Sequence, residues 1–390
     1  MPDTPFPAPK MGEPYLLTPG PLTTDIRVKE AMLRDWGSWD ADFRAMTKSL
    51  CDQLVALACR RDDFVCVPMQ GSGSYCVEAM LGTFVPRDGK ILVLANGAYG
   101  LRAAETMRYI GRAYTLIDKG DYMPPRGDEV GAALAADPAI THVIAIHCET
   151  SSGILNPVAE IAEAVYARGR KLLVDSMSAF GAVDMTGICY EAMVASANKC
   201  IEGVPGFGFV IARKAELEAS RGNCHSLSLD IHAQWANMVK SGQWRYTPPT
   251  HAVAAFMEAL RIHAAEGGVA ARGGRYTRNR DVMVAGMRGL GFETLLKDRW
   301  LSPIIVTFFC PADPAFVFTR FYDLMKAKGF IIYPGKLTVV DSFRIGVIGR
   351  MDEHVMRRVV QAAGECLTEM GVTSAAPPAT ALVERAKLAA

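Results

Sequence analysis

The sequence predicts an α/β protein: a large sheet covered by helices on both faces, followed by a smaller α+β unit. Two observations carry this. Through the first two thirds of the chain, short and almost wholly apolar strands alternate with helix-length segments, and such strands are stable only where both faces of a sheet are covered. From Ser302 the texture changes to strand, helix, strand, strand and a final helix. With 390 residues, the chain is long enough for one large and one smaller domain.

In chain order, residues 28–57 carry a helical pattern, 64–69 a short buried strand and 75–83 the helix after a glycine turn. Strands at 90–95 and 141–147 are each followed by a helix, at 100–111 and 158–168; 171–174 and 208–212 are further strands. After His251 a helix runs to about residue 265. The pairs Gly267-Gly268 and Gly273-Gly274 interrupt it, and a second amphipathic helix continues to about 290. The later part predicts a helix at 315–328, strands at 330–333 and 343–347, and a helix at 352–369. The domain expectation is an arm over 1–15, a large domain over 16–270, a small C-terminal domain over 271–372, and an Ala/Pro-rich tail over 373–390 that frays.

Half of the residues are hydrophobic and the formal net charge is +1, which gives no footing to a nucleic-acid binder. No apolar run of membrane-spanning length is free of charges. The proline-rich start lacks the charged-then-apolar order of a secretion signal. The 10 cysteines show neither CxxC pairs nor zinc spacing, and several sit inside apolar runs. A cytoplasmic protein with buried thiols is the expectation.

Three features at sensible spacing bear chemistry. Gln70-Gly71-Ser72-Gly73-Ser74 follows a strand and precedes a helix, so its amides and hydroxyls can cradle a phosphate; the same residues also make an ordinary tight turn. It is neither a Walker loop nor GxGxxG. Asp175 ends an apolar strand, where an acid can pair with a protonated pyridine nitrogen or simply cap a turn. Lys199, in Ser196-Ala197-Asn198-Lys199-Cys200-Ile201-Glu202-Gly203-Val204-Pro205-Gly206, has few charges near it and can act as nucleophile and base. A lysine, an acid and a phosphate cradle are the parts a pyridoxal phosphate enzyme needs. Tyr99, in Asn96-Gly97-Ala98-Tyr99-Gly100, can stack on a cofactor ring or sit in the core. Arg344 is a charge inside an apolar strand, suited to a carboxylate or phosphonate or to a structural ion pair. His147 and Cys148 are adjacent on a strand and point to opposite faces, which argues against a thiol hydrolase.

Together these blocks, with Leu16 to Leu22 and Trp244-Arg245-Tyr246-Thr247-Pro248-Pro249-Thr250-His251, resemble the class V, alanine–glyoxylate-like branch of the fold type I aminotransferases over nearly the whole chain. The strings around Lys199 and from Trp244 to His251 most resemble the members that act on 2-aminoethylphosphonate and pyruvate. The resemblance implies a large, mainly parallel seven-stranded sheet, pyridoxal 5'-phosphate as cofactor, those two small-molecule substrates, and a homodimer with shared sites. It implies Lys199 as the Schiff-base lysine, Asp175 as pyridinium partner, and Tyr99 and Met177 against the two ring faces. Thr150 would meet the ring hydroxyl. Ser72, Gly73 and Ser74 would hold the phosphate, with Thr247 from the other subunit, and Arg344 would hold the substrate anion. Three positions depart from the pattern: Ser74 for threonine, Glu202 for glutamine, and Gly349-Arg350 for Gly-Glu. An alanine– or serine–glyoxylate transaminase is the alternative within the family. A nucleotide-binding or non-enzymatic α/β protein would leave Lys199 and Asp175 unexplained.

Overall fold

The computed structural model describes residues 6–10, 12–59, 62–335 and 340–388; residues 1–5 and 11 of the arm and 389–390 of the tail lie outside them. Seven strands form the main sheet: β1 (Phe64–Gln70), β2 (Lys90–Ala95), β3 (Ala113–Asp118), β4 (Ile140–Ile146), β5 (Lys171–Asp175), β6 (Ala192–Ser196) and β7 (Phe207–Arg213). Their spatial order is β1-β7-β6-β5-β4-β2-β3. Only β7 runs antiparallel to its neighbours.

Period-2 alternation divides these strands between two cores. Leu92, Leu94, Val143, Ala145, Leu172 and Val174 pack against the helices Ala41–Ala58, Val158–Ala167 and Thr250–Glu266 on one face. Ile91, Val93, Ile144, Leu173 and Val194 pack against Gly73–Phe84 and Ala98–Tyr109 on the other. With both faces covered, nearly every sheet position except those of the edge strand β3 is apolar and buried, and so the strands read as continuous hydrophobic runs.

A separate cluster holds the C-terminal part. Here β8 (Ile305–Phe309), β9 (Tyr333–Pro334) and β10 (Ser342–Gly346) form an antiparallel sheet in the order β8-β10-β9. Tyr15 and Leu17 belong to this cluster, and Tyr15–Leu16 pairs in parallel with Phe330–Ile331.

Three expectations are corrected. The 28–57 helix is two: Ile26–Glu30 ends in a short 3-10 turn, and Ala41–Ala58 starts afresh. Asp40 caps the second by accepting from the Asp42 amide at 2.9 Å, a stronger start signal than the apolar period running through it. Gly273 and Gly274 do not interrupt a helix but lie within Gly268–Gly289. A Cβ at Gly273 would stand 2.2 Å from the Ala182 carbonyl oxygen, so this glycine is there for close approach. The tail does not fray over its described length. It forms the helix Ala379–Leu388, buries Ala381, and ties Arg385 Nη1 to the Thr294 carbonyl at 2.6 Å. Phe6 in the arm is also pinned: its amide donates to Asp352 Oδ2 at 2.6 Å, and the Arg350 guanidinium lies 3.7 Å from its ring centroid.

Candidate active site

Strands β1, β2, β4, β5 and β6 run in the same direction, so the residues following them gather along one edge of the sheet. There a cavity of about 430 Å³ is lined by Ser72, Gly73, Ser74, Tyr99, Asp175, Met177 and Lys199. Seven of the residues singled out in the sequence thus meet at one place, although up to 127 positions separate Ser72 from Lys199 (199 minus 72).

Ser72 is the extended residue before the Gly73–Phe84 helix, and its side chain makes no capping hydrogen bond. A Cβ at Gly73 would come within 2.4 Å of Met177 Sδ, so the Met177 side chain would have to shift to admit one. Lys199 Nζ lies 3.3 Å from the Gly20 carbonyl, to which it donates. Gly20 in turn has φ +117°, and a Cβ on it would press on Lys199 Cδ at 2.7 Å.

Asp175 is 6% exposed, and its Oδ1 accepts from the Met177 amide at 2.9 Å. Burial raises its pKa from 3.8 to about 6, and nearby Glu149 adds to the rise, while Lys199 opposes it. A carboxylate held so reluctantly gains from a cation set beside it.

Thr150 and Arg344 do not line this cavity, but they meet each other. Arg344 Nη1 donates to the Thr150 carbonyl at 2.8 Å and Nε to the Pro334 carbonyl at 3.0 Å. The guanidinium is 2% exposed, burial lowers its pKa, and among the described residues it forms no ion pair with a carboxylate. Thr150 Oγ1 is buried without a hydrogen-bond partner. Thr247 does not line the cavity of its own chain. It is exposed in an adjacent groove with Gln70, Gly71 and Tyr75.

Pyridoxal phosphate fits these residues. The Thr150 hydroxyl without a partner among the described residues, the Ser72 hydroxyl left unused by its helix, and a turn with no side chain at Gly73 to crowd Met177 are features a ligand would complete.

Two residues near the cavity escaped sequence reasoning. Glu149 is fully buried and takes the Tyr99 amide at 3.0 Å, the Gly100 amide at 3.2 Å and the Ser151 hydroxyl at 2.5 Å. It thereby occupies the start of the Ala98–Tyr109 helix and fixes Tyr99. An acid at the end of an apolar strand was the signal, but nothing in the string showed what it would cap. Arg102 follows Tyr99 by three residues, hence on the same helical face.

His147 and Cys148 are inert: burial takes the imidazole down to about 4 and the thiol up to about 12. Arg350 is absorbed elsewhere, with Nε 3.1 Å from Asp25 Oδ2. Glu202 accepts from Arg275 Nη2 at 2.8 Å and Tyr276 Oη at 2.5 Å. Arg272 Nη1, close by, donates to the Cys200 carbonyl at 2.6 Å, directly after Lys199. A buried ion cluster therefore backs the lysine loop.

The chain matches the family model described as aminotransferase class-V over residues 74–311. It is 73% identical to the 2-aminoethylphosphonate–pyruvate transaminase of Rhizobium meliloti (strain 1021) over 383 residues, covering 97% of this chain and 100% of that protein. It is 66% identical to 2-aminoethylphosphonate–pyruvate transaminase 1 of Paraburkholderia xenovorans (strain LB400), covering 98% and 99%. Among solved structures, alanine–glyoxylate aminotransferase from Nostoc sp. superposes with a TM-score of 0.85 at 20% identity, covering 94% of this chain and 98% of that one. Pyridoxamine–pyruvate aminotransferase from Mesorhizobium loti gives 0.84 at 21%, covering 98% and 100%. At such identities the two structures speak to the fold alone.

Proposed function

The chain belongs to the class V aminotransferases, and from that premise we propose that it is a pyridoxal-phosphate-dependent transaminase acting on 2-aminoethylphosphonate and pyruvate, with phosphonoacetaldehyde and L-alanine as products. The observation that carries this reading is the single cavity shared by Lys199, Asp175 and the Ser72-Gly73-Ser74 turn. The choice of substrates rests on the relatives with 73% and 66% identity.

Bound there, pyridoxal phosphate supplies the electron sink that lets a C–H bond beside an amine ionise. The protein's own groups do the rest. Lys199 Nζ would hold the cofactor in the resting enzyme and, when free, would carry a proton away from the substrate's amine-bearing carbon and return it. Asp175 would set a buried negative charge against the ring nitrogen. Tyr99 and Met177 would flank the ring, Thr150 would meet its hydroxyl, and Ser72, Gly73 and Ser74 would hold the phosphate. Arg344 holds the far end of the substrate, phosphonate in one half-reaction and carboxylate in the other. Its burial without a carboxylate partner supports that role.

The enzyme is a homodimer in this reading, with Thr247 crossing to the partner's phosphate. The exposed Tyr75, Leu227 and Tyr246 around the Thr247 groove support a covered surface there. The division at residues 16–270 and 271–372 stands as a proposal, supported by the separate C-terminal cluster, which also draws in Tyr15 and Leu17. Among the described residues, no helix is long and apolar enough to cross a membrane. Placement in the cytoplasm is supported by cysteines that are all free thiols.

Borohydride trapping followed by peptide mapping tests the core of this reading: the cofactor is expected on the Lys199 peptide, and a label on another lysine overturns it. A panel of amino donors with pyruvate as acceptor tests the substrate. 2-Aminoethylphosphonate is expected to be the preferred donor; preference for alanine or serine with glyoxylate would select the other branch of the family.

A further inference from the structure

Arg102 has no part in the scheme above, yet its side chain lines the same cavity. We propose that Arg102 is the cation that anchors the cofactor's phosphate group, an inference that rests on the pyridoxal phosphate reading of this site.

The argument starts from charge. A phosphate monoester near neutral pH carries about −1.5 to −2 charges. The start of the Gly73–Phe84 helix and the hydroxyls of Ser72 and Ser74 offer neutral donors and about half a charge from the helix dipole. The charged residues lining the cavity are Glu78, Arg102, Asp175 and Lys199. Two have the wrong sign, and Lys199 is engaged at the other end of the cofactor. Among the described residues lining the cavity, Arg102 alone remains to balance the phosphate.

Geometry agrees. Arg102 Nη1 lies 3.4 Å from Ser74 Oγ, in the first turn of the phosphate-facing helix. Its guanidinium carbon sits 5.0 Å from the Tyr99 ring centroid, so the aromatic that flanks the cofactor also steers the arginine. Arg102 makes no ion pair with a carboxylate among the described residues, so its charge is not already spent within the chain. A planar fork in that position suits two phosphate oxygens.

The test compares wild type, Arg102→Ala and Arg102→Lys, each released from its cofactor and titrated with pyridoxal 5'-phosphate and, separately, with pyridoxal, which lacks the phosphate. The dissociation constant for pyridoxal 5'-phosphate should rise about tenfold to a hundredfold in Arg102→Ala, as for loss of a hydrogen bond to a charged group, with Arg102→Lys in between. Affinity for pyridoxal should be the same in all three. An equal loss for both ligands would make Arg102 a structural residue and overturn the proposal. So would unchanged cofactor affinity, including the case where only 2-aminoethylphosphonate binding weakens. Failure of the wild type itself to bind pyridoxal 5'-phosphate at Lys199 would instead sink the functional reading.

Discussion

Asp175 is an acid where water scarcely reaches, and the cost of ionising it has two measurable faces. Its folded pKa is near 6 against an ordinary 3.8, so in between the folded chain binds a proton that the unfolded chain has lost. Cofactor-free stability therefore falls as pH rises through that window, and stays lower above it, by up to about 3 kcal/mol. Asp175→Asn removes the penalty: without cofactor, the variant should melt above wild type at about pH 8, and the gap should close below about pH 4. With cofactor the order reverses in function, and turnover should drop by about two orders of magnitude, as when a preorganised electrostatic partner is lost. Normal turnover would reduce Asp175 to a strand-end residue. Arg344 poses the opposite problem, a buried cation whose hydrogen bonds among the described residues go to the carbonyls of Thr150 and Pro334. Arg344→Lys cannot reproduce the fork, so both half-reactions should weaken by about 2–5 kcal/mol in single-turnover experiments while the resting absorbance spectrum is kept. Intact half-reactions in the folded variant would move the anion site elsewhere.

Apolar content made most strands of the main sheet legible in the sequence, but not β6, which is short and, though all five of its residues are buried, carries no flanking signal to set it apart. Strands β1, β2, β4, β5 and β7 came out of the string because both faces of the sheet are dry. The outer strand β3 did not: Tyr114 and Leu116 stay partly exposed, and Ala113 and Asp118 are solvent-facing, so it lacks the unbroken apolar run. The Gly268–Gly289 helix was misread for a physical reason. Its first half buries a polar face, with Arg272, Arg275, Tyr276 and Asn279 turned inward before the apolar Met283, Val284 and Met287, and its glycine pair looked like a break. Of the site, the Ser72 turn and Asp175 were visible because they follow or end a predicted strand, and Lys199 because few charges surround it and it comes after both. Glu149 and Arg102 were not, because their roles depend on neighbours brought in by the fold. Gly273→Ala tests the corrected helix. Although alanine is the better helix former, its methyl would meet the Ala182 carbonyl, and the variant should lose about 1–3 kcal/mol in denaturant titrations. A gain in stability would show that the contact is slack.

Across the whole molecule, the ion cluster of Glu202, Glu266, Arg272 and Arg275 ties the lysine loop to the C-terminal part. Arg275 Nη1 also binds the Gly349 carbonyl at 2.6 Å and the Met351 carbonyl at 2.7 Å. Burial alone would raise the two carboxyl pKa values, but Arg272 and Arg275 hold Glu202 below its usual range and Glu266 at about 2. Depressed folded values mean stability that is present above about pH 4.5 and is lost as pH falls through the folded pKa. Glu202→Gln breaks the cluster and should cost about 3–5 kcal/mol at neutral pH. Thermal melts from about pH 6 to pH 3 should then show a shallower acid limb than wild type. An unchanged melting profile would mean that the cluster holds nothing together.

Glu149 has a bearing on how a ligand enters. Two helices, Gly73–Phe84 and Ala98–Tyr109, begin at the same edge of the sheet, and either start would attract an anion. The second is already stoppered by the protein's own carboxylate. Of these two starts, only that of Gly73–Phe84 is left without an acid of the protein's own, so the anionic end of a ligand would be drawn there. A planar ring with a phosphate tail would then be oriented on arrival, tail toward the Ser72 turn and away from Glu149.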